Sequence, residues 1–208
     1  MEHYFTNNPD LKSELREISF AYKGYDFLFM SDNGVFSKNK IDYASHFLLD
    51  CFFSVHNVEN TKKVLDVGCG YGLLGIVLSC INKYSVDMID VNKRAVHLSE
   101  MNINKNKCDA KVFESDIFSN VTDKYDYIIT NPPIRAGKRV VYDILLGAKE
   151  FLNKDGELWC VINKDQGAKS TKKELEKCYN VEVVAKSKGF YVFKAKICWQ
   201  SILGDIQL

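Results

Sequence analysis

No apolar run in the 208-residue chain reaches the ~18 residues that a membrane-spanning helix needs, so no membrane partner is expected. The opening Met1-Glu2-His3-Tyr4 lacks a basic stretch followed by an apolar one, so no signal peptide is expected. The seven cysteines are odd in number and contain no C-x-x-C pair, which argues against a disulfide framework and a zinc site. Each reads as a small buried hydrophobe. The four histidines are dispersed, and no metal is expected. A reducing cytoplasmic setting fits these absences best. Repeats, low-complexity segments and linkers are also missing.

Charge of one sign is scarce too, since the formal net charge is +1. That small value hides an asymmetry. Residues 1–60 carry 5 basic and 9 acidic groups, and residues 61–208 carry 23 basic and 18 acidic. The imbalance is too mild to establish nucleic-acid binding, although basic clusters on one face would provide it. A hydrophobic content of 46% with 12% aromatics supports a real core and argues against disorder. The length suits one domain with an extension, divided here as 1–60 and 61–208.

The extension begins with two β-rich runs, 18–22 and 25–30, around Lys23-Gly24, a hairpin pattern. A turn at Asp32-Asn33-Gly34 follows. From Asp42 to residue 55, Phe47, Leu48, Cys51, Phe52 and Val55 recur at helical spacing. Beyond residue 61 strands and helices alternate, the mark of a parallel α/β sheet. The expected strands are 64–67, 86–91, 110–113, 125–130 and 157–162, followed by a hairpin of 181–185 and 190–197. The expected helices are 73–81, one capped by Asn92 and running to about residue 104, one carrying Val141 to Leu152 on its apolar face, and 171–178. Asn153-Lys154-Asp155-Gly156 reads as an exit turn.

The stretch from Val64 to Gly75 organises the rest. A buried strand runs into glycines at positions 68, 70 and 72, then into a helix. Glycine there lets a ligand approach the backbone, and exposed N–H groups and the positive helix end are expected to face it. Gly70-x-Gly72-x-x-Gly75 fits the nicotinamide-dinucleotide pattern, which is weak alone. Asp66-x-Gly68-x-Gly70-x-Gly72 instead resembles motif I of class I S-adenosylmethionine (SAM) methyltransferases. That resemblance implies a carboxylate at Asp66 beneath the methionine end of the cofactor. Asp90 ends the second core strand 20 residues after Gly70, where a carboxylate can accept both ribose hydroxyls. A helix N-terminal acid is the alternative. Asp116 follows the third core strand and can accept from an adenine amino group, or serve as a turn residue. Val91 and Ile117 are candidates to sandwich the adenine.

Asn131-Pro132-Pro133-Ile134 follows the fourth core strand, 65 residues after Asp66. An aryl amine is a poor nucleophile because its lone pair is delocalised. An Asn oxygen and the next backbone carbonyl can accept its two N–H bonds and aim the lone pair at a methyl donor. The prolines stiffen the turn and fix the carbonyl. Asn131, Pro132 and Pro133 are therefore the catalytic candidates, with Asn131 also lining the cofactor site.

Together, Asp32-x-Gly34-Val35-Phe36-Ser37, the Val64 to Gly75 stretch and Asn131-Pro132-Pro133-Ile134-Arg135-Ala136-Gly137-Lys138 resemble the ribosomal small-subunit RNA guanine-N2 methyltransferases. The likeness spans nearly the whole chain. It implies a class I methyltransferase Rossmann-like α/β sheet of seven strands, the last antiparallel, with a small N-terminal hairpin and helix extension. It also implies SAM as cofactor and ribosomal RNA or the small ribosomal subunit as partner. Larger members carry a degenerate first domain, and this chain matches the catalytic half. Ile134 departs from the aromatic often found after N-P-P, which leaves Phe36 or another aromatic to stack the target base. Ser37 and Lys38 are candidate contacts to the cofactor carboxylate or an RNA phosphate. Arg135, Lys138 and Arg139 are candidates to hold the phosphates flanking a flipped base. Rival readings are a glutamine, adenine or cytosine amino methyltransferase, a non-catalytic RNA-binding module with a relic SAM fold, and a nicotinamide enzyme.

Overall fold

A computed structural model describes residues 13–35, 40–56 and 62–198. Strands β1 (Arg16–Tyr22) and β2 (Tyr25–Ser31) form the expected hairpin. Lys23 and Gly24 both adopt positive φ, 48° and 81°, the backbone that suits a two-residue turn between twisted strands. Helix α1 (Tyr43–Val55) follows, and its N-cap Asp42 accepts the Ser45 N–H at 2.9 Å.

The main sheet contains β3 (Lys63–Val67), β4 (Ser85–Asp90), β5 (Ala110–Glu114), β6 (Tyr125–Thr130), β7 (Leu152–Asn163), β8 (Tyr179–Ser187) and β9 (Phe190–Ile197). Their spatial order is β5-β4-β3-β6-β7-β9-β8. The first five are parallel to one another, and β9 runs antiparallel between β7 and β8. Helices α2 (Leu73–Asn82), α3 (Lys93–Asn106), α4 (Lys138–Gly147) and α5 (Ala168–Leu175) cover the two faces. This is the seven-stranded class I methyltransferase sheet with its N-terminal hairpin.

Alternation along each strand splits the core in two. Val64, Met88, Tyr127, Ile129 and Trp159 face α1, α2, α3 and the hairpin. Leu65, Ile89, Ile128, Leu158 and Cys160 face α4 and α5. Near-continuous burial of these strands is what a parallel sheet covered on both sides requires.

Three segments differ from the sequence expectation. Residues 153–156 carry turn chemistry, yet they lie inside β7. β7 pairs Leu152 with Tyr125 and Glu157 with Tyr127, so the whole run bulges opposite Asp126. Gly156 is packed so tightly there that a Cβ would sit 3.0 Å from the Tyr125 carbonyl. Helix α5 starts at Ala168, not at residue 171, because Gly167 takes the N-cap position at φ 96°. The α4 segment ends at Gly147 and continues as a 3₁₀ turn over Ala148–Phe151.

The hairpin is fastened to α3 by two asparagines one helical turn apart. Asn102 accepts from Met30 N–H at 2.6 Å and donates to Met30 C=O at 2.9 Å. Asn106 does the same with Leu28, at 3.0 and 2.9 Å. The i, i+4 spacing of the helix thus matches the i, i+2 spacing of the β2 edge, and the amides act as a substitute strand.

At the other end of α1, His56 Nε2 meets Glu157 Oε2 at 2.8 Å. The Trp159 indole N–H donates to the same oxygen at 2.8 Å, and Lys196 Nζ lies 2.9 Å from Oε1. Burial alone would raise the Glu157 carboxyl, but bonds from His56, Lys196 and Trp159 outweigh it and hold the group at about 2. The folded-state value is below the ordinary 4.5, so this stabilisation is present above pH 4.5 and disappears as the pH falls toward 2. Glu157→Gln is expected to cost about 2–3 kcal/mol at pH 7, since it leaves buried donors and a charge short of a partner. Urea titrations should show that deficit shrinking as the pH drops from 4.5.

Among the described residues no helix is long and apolar enough to cross a membrane, and no cluster of His, Cys, Asp and Glu could hold a metal ion.

Candidate active site

The strand order turns back on either side of β3, so β3 and its neighbour β6 open a crevice at their carboxyl ends, the usual ligand position in open α/β sheets. Both sequence signals fall there: Asp66 and the glycine turn at the end of β3, and Asn131 just past β6. A cavity of about 410 Å³ occupies the crevice. Asp66, Gly68, Gly70, Asp90, Val91, Asp116, Ile117, Asn131, Pro132, Pro133, Ile134 and Arg135 all line it.

The glycine turn works differently from expectation. The N–H groups of Gly68 and Cys69 donate to Ile89 C=O at 2.9 and 3.0 Å, and Gly70 N–H donates to Asp90 Oδ2 at 2.9 Å. The start of α2 is occupied as well, because Gly75 N–H donates to Asp66 Oδ2 at 3.0 Å. The protein therefore uses these donors itself, and an anion such as a pyrophosphate finds the helix end already filled by a carboxylate.

The three glycines of the dinucleotide-like pattern have separate reasons. At Gly70, with φ 61°, a Cβ would meet nothing within 4 Å, because it would project into open space. At Gly72 a Cβ would lie 3.0 Å from both Ile76 Cδ1 and Ser99 Oγ, and Gly72 does not line the cavity. At Gly75 it would lie 2.4 Å from Met88 Sδ, so this glycine lets α2 pack onto β4.

Asp66 is 1% exposed, and its Oδ1 has no hydrogen-bond partner. Burial, and then the nearby Asp90 charge, push its carboxyl up to about 7 against the single N–H bond from Gly75. Asp90 is also raised, by burial, although it accepts N–H bonds from Gly70 and from Asn92 at 2.9 Å. The Asp116 carboxylate is exposed at the rim of the same cavity. Ile117, beside it, is held at φ 51° by a loop that Ser115 Oγ closes onto the Ile117 C=O at 2.9 Å.

Among the described residues, the cavity wall thus carries four carboxylates, Asp42, Asp66, Asp90 and Asp116, against one cation, Arg135. Such a site suits a ligand with positive charge and repels a dinucleotide. SAM, with its sulfonium and ammonium centres, matches this donor set. The orphaned Oδ1 of Asp66 offers an acceptor, and the open side of Gly70 offers room.

At the far wall, the Asn131 amide is fixed by α1. Nδ2 donates to Asp42 Oδ2 at 3.0 Å and to Ser45 Oγ at 2.9 Å. A carboxylate only accepts, so Asp42 decides which end of the amide it meets, and Oδ1 is left for the cavity. Pro132 and Pro133 follow, and Ala136 N–H closes onto Pro133 C=O at 2.8 Å.

The cations expected to hold RNA are divided. Arg135 lines the cavity beside Ile134, whereas Lys138 sits over the Tyr142 ring at 5.1 Å and Arg139 projects outward, 3.7 Å from Asp143. Phe36, Ser37 and Lys38 lie outside the described residues. Sequence reasoning missed Asp42, Ser45, Gln166 and Phe190, which also line the cavity. Phe190 supplies an aromatic ring at the wall, 5.9 Å between centroids from Tyr43, whose ring carries Lys188 Nζ at 4.3 Å.

The chain is 46% identical to the uncharacterized Bacillus subtilis protein YbxB, over 94% of this chain and 98% of that one. It is 33% identical to ribosomal RNA small subunit methyltransferase C of Actinobacillus pleuropneumoniae serotype 7, covering 85% of this chain and 54% of that one. Among solved structures it superposes on the Thermus thermophilus 16S rRNA N2 G1207 methyltransferase, in complex with AdoMet and guanosine, with a TM-score of 0.79 and 26% identity. That match covers 91% of this chain and 52% of the Thermus protein, so the chain spans about half the length of these methyltransferase relatives. A ribosomal protein L11 methylase from Lactobacillus delbrueckii shares the fold, with a TM-score of 0.66 and 19% identity. The profile of the Methyltransferase small domain covers residues 26–194, and the chain belongs to that family.

Proposed function

We propose that the protein methylates an exocyclic amino group of an RNA base, with guanine N2 of 16S ribosomal RNA as the acceptor and SAM as the donor. The observation that carries this reading is the Asn131 amide: both of its protons are consumed by Asp42 and Ser45, so the amide presents an acceptor oxygen to a carboxylate-lined cavity. The Thermus neighbour, a 16S rRNA N2 G1207 methyltransferase in complex with AdoMet and guanosine, supports the choice of base.

When bound, SAM supplies a methyl group already activated on sulfur. The protein's own residues do the rest by positioning. Asp66 and Asp90 offer carboxylate oxygens to the donor's positive centre and ribose, and Asp116 with Ile117 and Val91 form the adenine end. Asn131 Oδ1 and the Pro132 carbonyl accept the two N–H bonds of the acceptor amine. This localises the nitrogen lone pair and aims it for in-line attack. No base is needed before transfer, because the amine loses its proton to solvent afterwards. Phe190 offers a stacking face that Ile134 lacks. Arg135, Lys138 and Arg139, with Lys188 over the Tyr43 ring as a further candidate, are suited to the phosphates flanking a flipped base.

The test is chemical. The protein should be incubated with labelled SAM and either small ribosomal subunits from a strain lacking it or a release factor, and the product identified by mass spectrometry. N2-methylguanosine in 16S RNA supports the proposal. Label in the release factor, or in adenine or cytosine, replaces it with a rival acceptor. Absence of SAM binding in calorimetry would point to a relic RNA-binding module.

A further inference from the structure

Asp42 was expected only to start a helix, and it does so: its Oδ2 accepts Ser45 N–H at 2.9 Å and Ser45 Oγ–H at 3.2 Å. The same oxygen also receives Asn131 Nδ2 at 3.0 Å, from 89 residues away in the sequence. Ser45 Oγ receives the amide's second proton at 2.9 Å. The helix cap and the amide are therefore one network with a fixed direction. A carboxylate cannot donate, so Asn131 can only turn its NH₂ toward Asp42, and the hydroxyl of Ser45, already donating to Asp42, is left to accept. Flipping the amide would set Oδ1 against the carboxylate and cost both bonds.

The helix carrying this pair is held at both ends. Its N-terminus bears the Asn131 network, and His56 at its C-terminus is tied to Glu157. Ser45 is buried and Asp42 partly so, and both line the cavity.

We propose that Asp42 and Ser45 are positioning residues that lock the Asn131 side chain in its accepting orientation, so that the first turn of α1 sets the rate of methyl transfer. This inference rests on the amine-orienting role proposed for Asn131, and it assigns the source of that orientation. It places part of the site in the segment before the core sheet, far from the sequence motifs that mark the fold.

The test exchanges the two partners. Asn131→Asp keeps an acceptor oxygen but sets two carboxylates against each other where 3.0 Å separates the present pair, which disfavours the charged form of one of them. We expect kcat to fall about 100-fold. Adding Asp42→Asn restores a donor–acceptor pair and keeps an efficient N-cap. The double variant is expected to recover at least about tenfold over Asn131→Asp, while Asp42→Asn alone loses about threefold from the weaker, uncharged acceptor. SAM affinity should stay within a few fold throughout. Ser45→Ala provides a second reading without any change of charge, with kcat lowered about fivefold, an unchanged SAM Kd and an unchanged melting temperature.

A cap that acts only on the helix would not restore kcat in the exchanged pair. Additive losses in the two-residue cycle, together with full activity of Ser45→Ala, would overturn the proposal. The failure of the underlying reading looks different: Asn131→Ala would then leave transfer intact, whereas a failed clamp leaves Asn131→Ala inactive and the cycle additive.

Discussion

Asn131→Ala is expected to reduce methyl transfer by about 10³-fold while SAM affinity changes by no more than a few fold. The size follows from what is lost. Removing one preorganised group from a site that stabilises developing charge costs about 10²–10³ in kcat. Here the same group also orients the nucleophile, and misplacement by about 1 Å costs about 10². The acceptor nitrogen would keep its lone pair delocalised into the ring, with only the Pro132 carbonyl left to draw on its N–H bonds. The substitution should be tolerated structurally. Asn131 is only half-buried, and the Asp42 cap keeps its bonds to Ser45 N–H and Oγ–H. Single-turnover rates with labelled SAM, beside calorimetric SAM binding, separate the two quantities. Loss of SAM binding in parallel with transfer would mean that Asn131 holds the cofactor rather than the amine.

The strands and helices that build the crevice were legible because each is a short apolar run or a helical stripe, bounded by turn residues. Asp66 and Asn131 were legible for the same reason: each sits at the end of a buried strand, where a polar residue is conspicuous. What remained hidden depends on contacts between distant segments. Nothing near Asp42 in the sequence distinguishes a plain cap from one that also holds an amide 89 residues away. Asn102 and Asn106 read as ordinary polar positions on α3 until β2 is laid beside them. The run Asn153-Lys154-Asp155-Gly156 has every local sign of a turn, and only the pairing of its flanks, Leu152 and Glu157, with β6 makes it a bulge inside a strand. The glycine loop misled in the opposite direction. Its sequence advertises free N–H groups, but Ile89 and Asp90 from the neighbouring strand take them. Local chemistry fixes which groups are on offer, and tertiary pairing decides which of them stay free.

The unliganded protein should lose stability as the pH rises from about 4 to about 7, and Asp66→Asn should flatten that trend, leaving the part due to Asp90, whose carboxyl burial also raises. The Asp66 carboxyl is buried at the end of β3, one of its oxygens has no partner, and its folded-state value is about 7 against the ordinary 3.8. An acid whose value is raised on folding binds its proton more tightly in the native state. Between pH 3.8 and 7 the unfolded chain has given that proton up and the folded one has kept it, so unfolding becomes easier by up to about 1.4 kcal/mol per pH unit. Above 7 both states are ionised and the penalty levels off. An asparagine of the same shape keeps the bond from Gly75 N–H without the charge. Asp66→Asn should therefore match the wild type near pH 4 and exceed it by a few kcal/mol at pH 8, which urea midpoints at the two pH values would measure. Binding should move the opposite way. A cationic donor needs the ionised carboxylate, so wild-type SAM affinity is expected to rise with pH up to about 7 and to be accompanied by proton release. In Asp66→Asn the affinity should fall about 100-fold and lose its pH dependence. A variant that is both more stable when empty and nearly unable to bind would mean that the buried charge is kept for the ligand at the expense of the fold. Wild-type SAM affinity in Asp66→Asn would instead make Asp66 a plain N-terminal anchor for α2.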